Sequence, residues 1–296
     1  MSSWISVRKR QVRVFKPTIE ENKDDVSTDL VKSMPSSSYP ISVKYYISGG
    51  KLGDFIHQLS VIKYNYDNFG KKGVLYLANI GDNFSLGLER AYNDTKDIIL
   101  KQDYILDYQL YNNQRVDINL SSWRDILINN TDLNLKQIYR NTYDIDWAST
   151  RWINNIENDK SFSNSILFSY SRLRHNNNIN FDIINSLLDQ KEIVYFICFD
   201  ISEYNDFILN YKFSLPVLLC NTVMDMAIKI NSCKLLIGNL SSPLALSFAL
   251  HKECIGILQS KAGIDINLNT KLNLPFYTTV NNHDELREAL RNKLNR

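Results

Sequence analysis

From residue 165 onward, short apolar runs alternate with stretches whose apolar positions recur every three or four residues. "SILFSY" (165–170), "IVYFICF" (193–199), "LPVLLC" (215–220), "CKLLIG" (233–238) and "CIGILQ" (254–259) read as strands. Between them "FDIINSLLD", "SEYNDFILNY", "TVMDMAIKIN" and "PLALSFALHK" read as helices. Strands that are apolar throughout suit a sheet covered on both faces, and their alternation with helices predicts parallel pairing. The first half is less regular. "VKYYIS" predicts a strand, Phe55, Leu59, Ile62 and Tyr66 then recur at helical spacing, and Gly70 to Gly73 close that helix. "VLYLA" predicts a second strand, "DTKDIILKQ" a helix and "YILDYQLY" a further strand. The tract 115–152, which holds Trp123 and Trp147 with Trp152 at its edge, follows no single period. A capped, charged helix is expected at "NHDELREALRNKL".

The pattern predicts an α/β chain of two domains that meet near residues 153–165, the second built on a mainly parallel sheet. The expected divisions are an N-terminal extension and linker over 1–40, an α/β domain over 41–155, and a second α/β domain over 156–296. The extension is set apart by basic "ISVRKRQVRVFK", acidic "EENKDD" and linker-like "SMPSSSYP".

Composition narrows the function classes. The chain has 296 residues, a hydrophobic fraction of 44%, a charged fraction of 22% and a net charge of +2. No global field advertises a nucleic-acid partner. No apolar run reaches the length of a transmembrane segment. Arg8, Lys9, Arg10 and Arg13 interrupt any secretion-signal core, so a cytoplasmic protein is expected. Cys198, Cys220, Cys233 and Cys254 lie in or beside apolar runs without ligand spacing, which predicts buried thiols.

In parallel sheets, ligands bind beyond the carboxyl ends of the strands. Three loops qualify: Ser48 to Asp54, Ser169 to Asn178, and Gly238 to Pro243. The first, "GGKLGD", completes neither common phosphate-loop pattern. Its glycines can still bring amides close to an anion. On spacing alone, Asp54 serves equally as a helix N-cap or as a site carboxylate. Asp144 and Asp146 form an Asp-x-Asp of the kind that binds a divalent cation in metal-dependent GT-A transferases. They follow a predicted helix instead of ending a strand, which leaves that reading the weakest. Asp82, after the second strand, is read as a turn residue or as part of an acceptor site.

"SGGKLGDFIHQLSVI" and "KLLIGNLSSPLALSFALHKECIGIL" resemble, in the expected order, two segments of the bacterial heptosyltransferase family. The resemblance covers about a third of the chain. It implies the GT-B fold, two Rossmann-like domains with a cleft between them, the acceptor side over 41–155 and the nucleotide-sugar side over 156–296. It also implies an inverting hexosyl- or heptosyl-type glycosyltransferase that acts in glycan biosynthesis. Such an enzyme passes a sugar from a nucleotide sugar to a glycan or glycoconjugate acceptor, with no resident cofactor and no metal. Carried over, Asp54 falls on the catalytic base. Gly50, Lys51, Gly53 and His57 surround it on the first loop and helix. Ser169, Arg172, Arg174 and His175 fall on the second loop, and Asn239, Ser241 and Ser242 on the third, as donor-binding candidates. The third loop departs from the family, having Leu240 and Ala245 where the family carries Asp and His. That departure keeps open a second reading, a non-catalytic glycan- or nucleotide-binding module on a decayed GT-B scaffold.

Overall fold

The computed structural model describes residues 42–80, 82–171, 174, 176–189, 192–212, 214–259 and 268–294. The expected extension over 1–40, Arg172 and His175 lie outside the described residues.

Two parallel sheets carry the architecture. The first contains β1 (Val43–Ser48), β2 (Lys72–Leu77), β3 (Ile105–Leu110) and the two-residue β4 (Ile118–Asn119), in the order β3-β2-β1-β4. The second contains β5 (Ser165–Ser169), β6 (Ile193–Cys198), β7 (Val217–Leu219), β8 (Leu235–Asn239), β9 (Cys254–Ile257) and β10 (Tyr277–Val280), in the order β10-β9-β8-β5-β6-β7. Counted from β5, this second order is that of a dinucleotide-binding Rossmann sheet, and the first sheet repeats its opening four strands. Every described strand pair is parallel. The strands reverse direction of growth between β1 and β4 in one sheet, and between β5 and β8 in the other. Each reversal opens a crevice at the carboxyl ends.

Helices α1 (Leu52–Phe69) and α2 (Leu88–Leu100) follow β1 and β2. The short α3 (Trp123–Asn129) and α4 (Leu135–Tyr143) follow β4. In the second half, α5 (Asp182–Asp189), α6 (Ile201–Tyr211), α7 (Val223–Ser232) and α8 (Ser242–Ala249) connect the strands, and α9 (His283–Leu294) ends the chain. Local chemistry sets their ends. Gly70 stops α1 in the left-handed conformation (φ 64°), its N–H donating to Tyr66 O. Asn134 and Gln137 form a reciprocal capping box on α4. Asp200 and Thr222 accept amide protons at the starts of α6 and α7.

The two sheets share one continuous core. Helix α1 packs on α8 and α2 on α7, and the apolar cluster runs from Tyr46 and Leu75 through Phe55 and Leu59 to Leu246 and Phe248. The tryptophan tract supplies the middle of this seam. Trp147 and Trp152 are buried, Trp152 Nε1 donates to Ile56 O (2.8 Å), and the amides of Trp152 and Ile153 donate to Ala249 O. A second cluster, built on Phe168, Phe196 and Phe207, fills the other face of the second sheet. All four cysteines are buried thiols.

Candidate functional site

The carboxyl ends of β1 and β8 bring two helix starts together. β1 ends at Ser48, and a three-residue turn leads into α1 at Leu52. The buried Gln58, one turn and a half into the helix, holds this turn. Its Nε2 donates to Gly49 O (3.1 Å), and its Oε1 accepts from Ser48 Oγ. Lys51 is the N-cap, with no side-chain bond to the first turn. Asp54 is therefore the third residue of the helix, and the capping reading fails: the helix begins at Leu52, two residues before Asp54, and Lys51 holds the cap position. Its carboxylate stands on a helical turn and not on a free loop.

Asp54 is about a third exposed and pairs with Arg124, whose Nη2 lies 2.6 Å from Oδ2. Arg124 comes from the first turn of α3, directly after β4, so the pair spans the reversal point of the first sheet. Gly50 makes the approach possible. It has φ 101°, and a Cβ there would lie 2.1 Å from Arg124 Nη2. The guanidinium also covers the Trp123 ring at 4.7 Å. Desolvation raises the Asp54 pKa above the ordinary carboxylate value, and the charges of Arg124, Arg174 and Lys51 oppose that rise.

Beside Gly53 stands the start of α8. A Cβ on Gly53 would lie 3.8 Å from Ser242 N and from the Ala245 Cβ, so the first turns of α1 and α8 touch. Ser241 is the N-cap of α8, and its Oγ donates to Asn239 O (3.1 Å). With Pro243 in the first turn, the amides of Ser242 and Leu244 lie among the helix's N-terminal donors. Arg174, from the loop after β5, donates through Nη1 to Leu240 O (2.7 Å). The second and third loops are thereby joined beside Asp54.

The remaining expected residues take different places. Asn239 is fully buried and committed to backbone: it accepts from Ser171 N (3.0 Å) and donates to Ser171 O (2.7 Å) and Arg174 O (3.1 Å). It ties the two crevice loops together and has no amide hydrogen left for a donor. Ser169 is buried at the end of β5. Lys51 reaches outward to Asp82 (3.5 Å), both side chains being more than half exposed. His57 packs its ring against Trp147, Trp152 and Phe248. Desolvation pushes its pKa down to about 3, so it stays neutral. Asp144 closes α4 in the left-handed conformation and Asp146 pairs with Lys136 (3.3 Å), so neither ends a strand. Among the described residues no group of three or more His, Cys, Asp or Glu is placed to hold a metal. None of the described helices is long and apolar enough to cross a membrane.

Sequence reasoning missed Arg124. It lies 70 residues from Asp54 in the tract without a period, and its only local signal is the strand-end turn "NLSSWR", which follows a strand too short to recognise.

No protein-family model matches the chain, and no curated protein matches it by sequence. Solved structures do match. A glycosyl transferase family 9 protein from Veillonella parvula superposes with a TM-score of 0.56 at 8% identity, over 87% of this chain and 93% of its own. The E. coli heptosyltransferase WaaC, in complex with ADP, gives a TM-score of 0.52 at 8% identity, over 85% and 99%. E. coli ADP-heptose LPS heptosyltransferase II gives 0.50 at 12% identity, over 85% and 97%. The chain has the two-sheet GT-B fold of these heptosyltransferases and family 9 glycosyltransferases.

Proposed function

We propose that this chain is a glycosyltransferase that moves a hexosyl- or heptosyl-type sugar from a nucleotide sugar to a hydroxyl of a glycan or glycoconjugate. The transfer inverts the anomeric centre and uses neither a metal nor a resident cofactor. The acceptor oxygen bonds to the anomeric carbon as the bond to the nucleotide diphosphate breaks. The bonding pair leaves with the diphosphate, and the hydroxyl proton passes to Asp54. A carboxylate can serve as a late general base here, because the hydroxyl becomes acidic only as the new bond forms. The leaving diphosphate needs positive partners. Arg174, the hydroxyls of Ser241 and Ser242 and the first amides of α8 are the candidates.

The observation that supports this reading is the contact of Gly53 with Ser242, which brings the first turn of α1, the turn that carries Asp54, against the first turn of α8. Leu240 and Ala245 favour the second reading, a binding module, because both are buried and apolar where the resembling family has Asp and His.

The test is Asp54→Asn, assayed by nucleotide release from a panel of nucleotide sugars with glycan acceptors. General bases contribute about 10²–10⁴-fold. Turnover should fall by that order while nucleotide affinity stays within a few-fold. An Asp54→Asn protein that turns over like wild type sinks the base assignment. A wild type that binds a nucleotide diphosphate and transfers no sugar leaves the binding module.

A further inference from the structure

Four independent features surround the Asp54–Arg124 pair. Arg124 Nη2 contacts a single carboxylate oxygen, Oδ2, at 2.6 Å. The guanidinium reaches it over the bare Cα of Gly50, where any side chain would collide. The Trp123 ring backs it at 4.7 Å. Its other terminal nitrogen, Nη1, is buried and finds no acceptor among the described residues, which leaves Asp54 as the anchor of the group.

We infer that Arg124 is a positioning residue for Asp54: by holding Oδ2 it presents Oδ1 to the acceptor hydroxyl and keeps the carboxylate in its basic form. The inference rests on the reading of Asp54 as general base. The physical need is clear. A half-buried carboxylate drifts toward its neutral acid, which accepts no proton, and it turns freely about its last torsion unless one oxygen is held. A guanidinium bonded to one oxygen answers both, being charged at every working pH and fixed in plane. Arg174 and Lys51 add positive charge from the loop after β5 and from the start of α1. From α4, Tyr139 and Tyr143 are neutral, their hydroxyls pushed up by burial. His57, one turn along α1, is also neutral, and Asp82 is occupied with Lys51.

The experiment follows Asp54 directly and needs no substrate. Protein carrying ¹³Cγ-aspartate is titrated by NMR, with the Asp54 signal assigned by its loss in Asp54→Asn. The midpoint should move upward in Arg124→Gln and return part of the way in Arg124→Lys, which restores charge without the planar fork. In wild type, the Arg124 side-chain ¹⁵N signals should titrate with the same midpoint as the Asp54 carboxyl, a measurement that stands even if Arg124→Gln does not fold. An unmoved or lowered midpoint, or an Arg124 signal indifferent to Asp54, overturns the inference. With a donor and acceptor in hand, the acid limb of kcat should rise by the same interval in Arg124→Gln while KM for the nucleotide sugar holds. The plateau of kcat above that limb should fall as well, since Oδ2 is no longer held; a plateau equal to wild type would show a salt bridge that only ties α1 to α3 and would overturn the positioning role. Should Asp54→Asn keep full turnover, the general-base reading itself falls, whatever Arg124 does.

Discussion

Replacing Asn239 by Ala is the sharpest test of how the crevice is built. The side chain is inaccessible and makes three bonds, all to the backbone of the loop after β5. Truncation leaves one amide and two carbonyls without these partners, and the loop loses its tie to β8. At a net 0.5–1.5 kcal/mol per hydrogen bond, the loss should be about 2–4 kcal/mol. For a body of this size that lowers Tm by about 4–15 °C. Asn239→Asp is the informative companion. It keeps the acceptor for Ser171 N but faces two carbonyls with a carboxylate, so it should be no more stable than the alanine variant. Urea denaturation at constant slope gives the stability, and calorimetric titration with nucleotide diphosphates gives the binding. Arg174 is carried by the released loop, so nucleotide affinity should fall about ten-fold or more, the equivalent of ordering the loop at about 1.4 kcal/mol. A stability loss below about 1 kcal/mol with an unchanged slope would show that the three bonds are replaceable. Full stability loss with unaltered affinity would separate the strut from the donor site.

Two further outcomes are expected. Trp152→Phe should cost about 1 kcal/mol through the lost bond to Ile56 O, and Trp152→Ala about 3–5 kcal/mol through the cavity opened at the seam; denaturation curves for the pair check both, and an Ala variant as stable as the Phe variant would refute the packing argument. Transfer activity should survive excess EDTA, and Asp144→Ala should stay within a few-fold of wild type, whereas loss on chelation with recovery in Mn²⁺ or Mg²⁺ would overturn the metal-free mechanism.

The second sheet was legible because β5, β6, β8 and β9 are largely buried and announce themselves, with β7 at the edge, as unbroken apolar runs. β10 escaped notice: "YTTV" is half polar, and three of its four residues remain partly open. The first sheet was legible only as far as β3. β4 has two residues, and no periodicity survives in so short a strand. The tryptophan tract resisted assignment for a different reason. Trp147 and Trp152 are enclosed between elements of both sheets, so neither belongs to one helical or strand face. Asp54 was found through its glycine-rich approach, but its partner was not, because an ion pair across 70 residues leaves no local pattern. Asn239 was expected among the donor contacts; its neighbours in sequence said nothing of the backbone it would hold. For His57 a packed helix position and one facing the cleft fit the sequence equally, and the rings that decide it, Trp147, Trp152 and Phe248, lie far along the chain.

The meeting of α1 and α8 at their first turns can also be viewed as electrostatics. Each helix start carries about half a positive charge, so two like poles face each other across the contact of Gly53 with Ser242. Only one of the two has an acid in its first turn: Asp54 serves α1, and α8 has none. One carboxylate therefore stands against two poles and a guanidinium. The imbalance favours a further negative charge at the bare end of α8, by about 0.3–1 kcal/mol for each pole it meets. Any anion that settles there relieves repulsion between the two halves of the molecule as well as making its own bonds, and its departure restores that repulsion. The crevice is thus biased toward an anionic ligand and against standing empty.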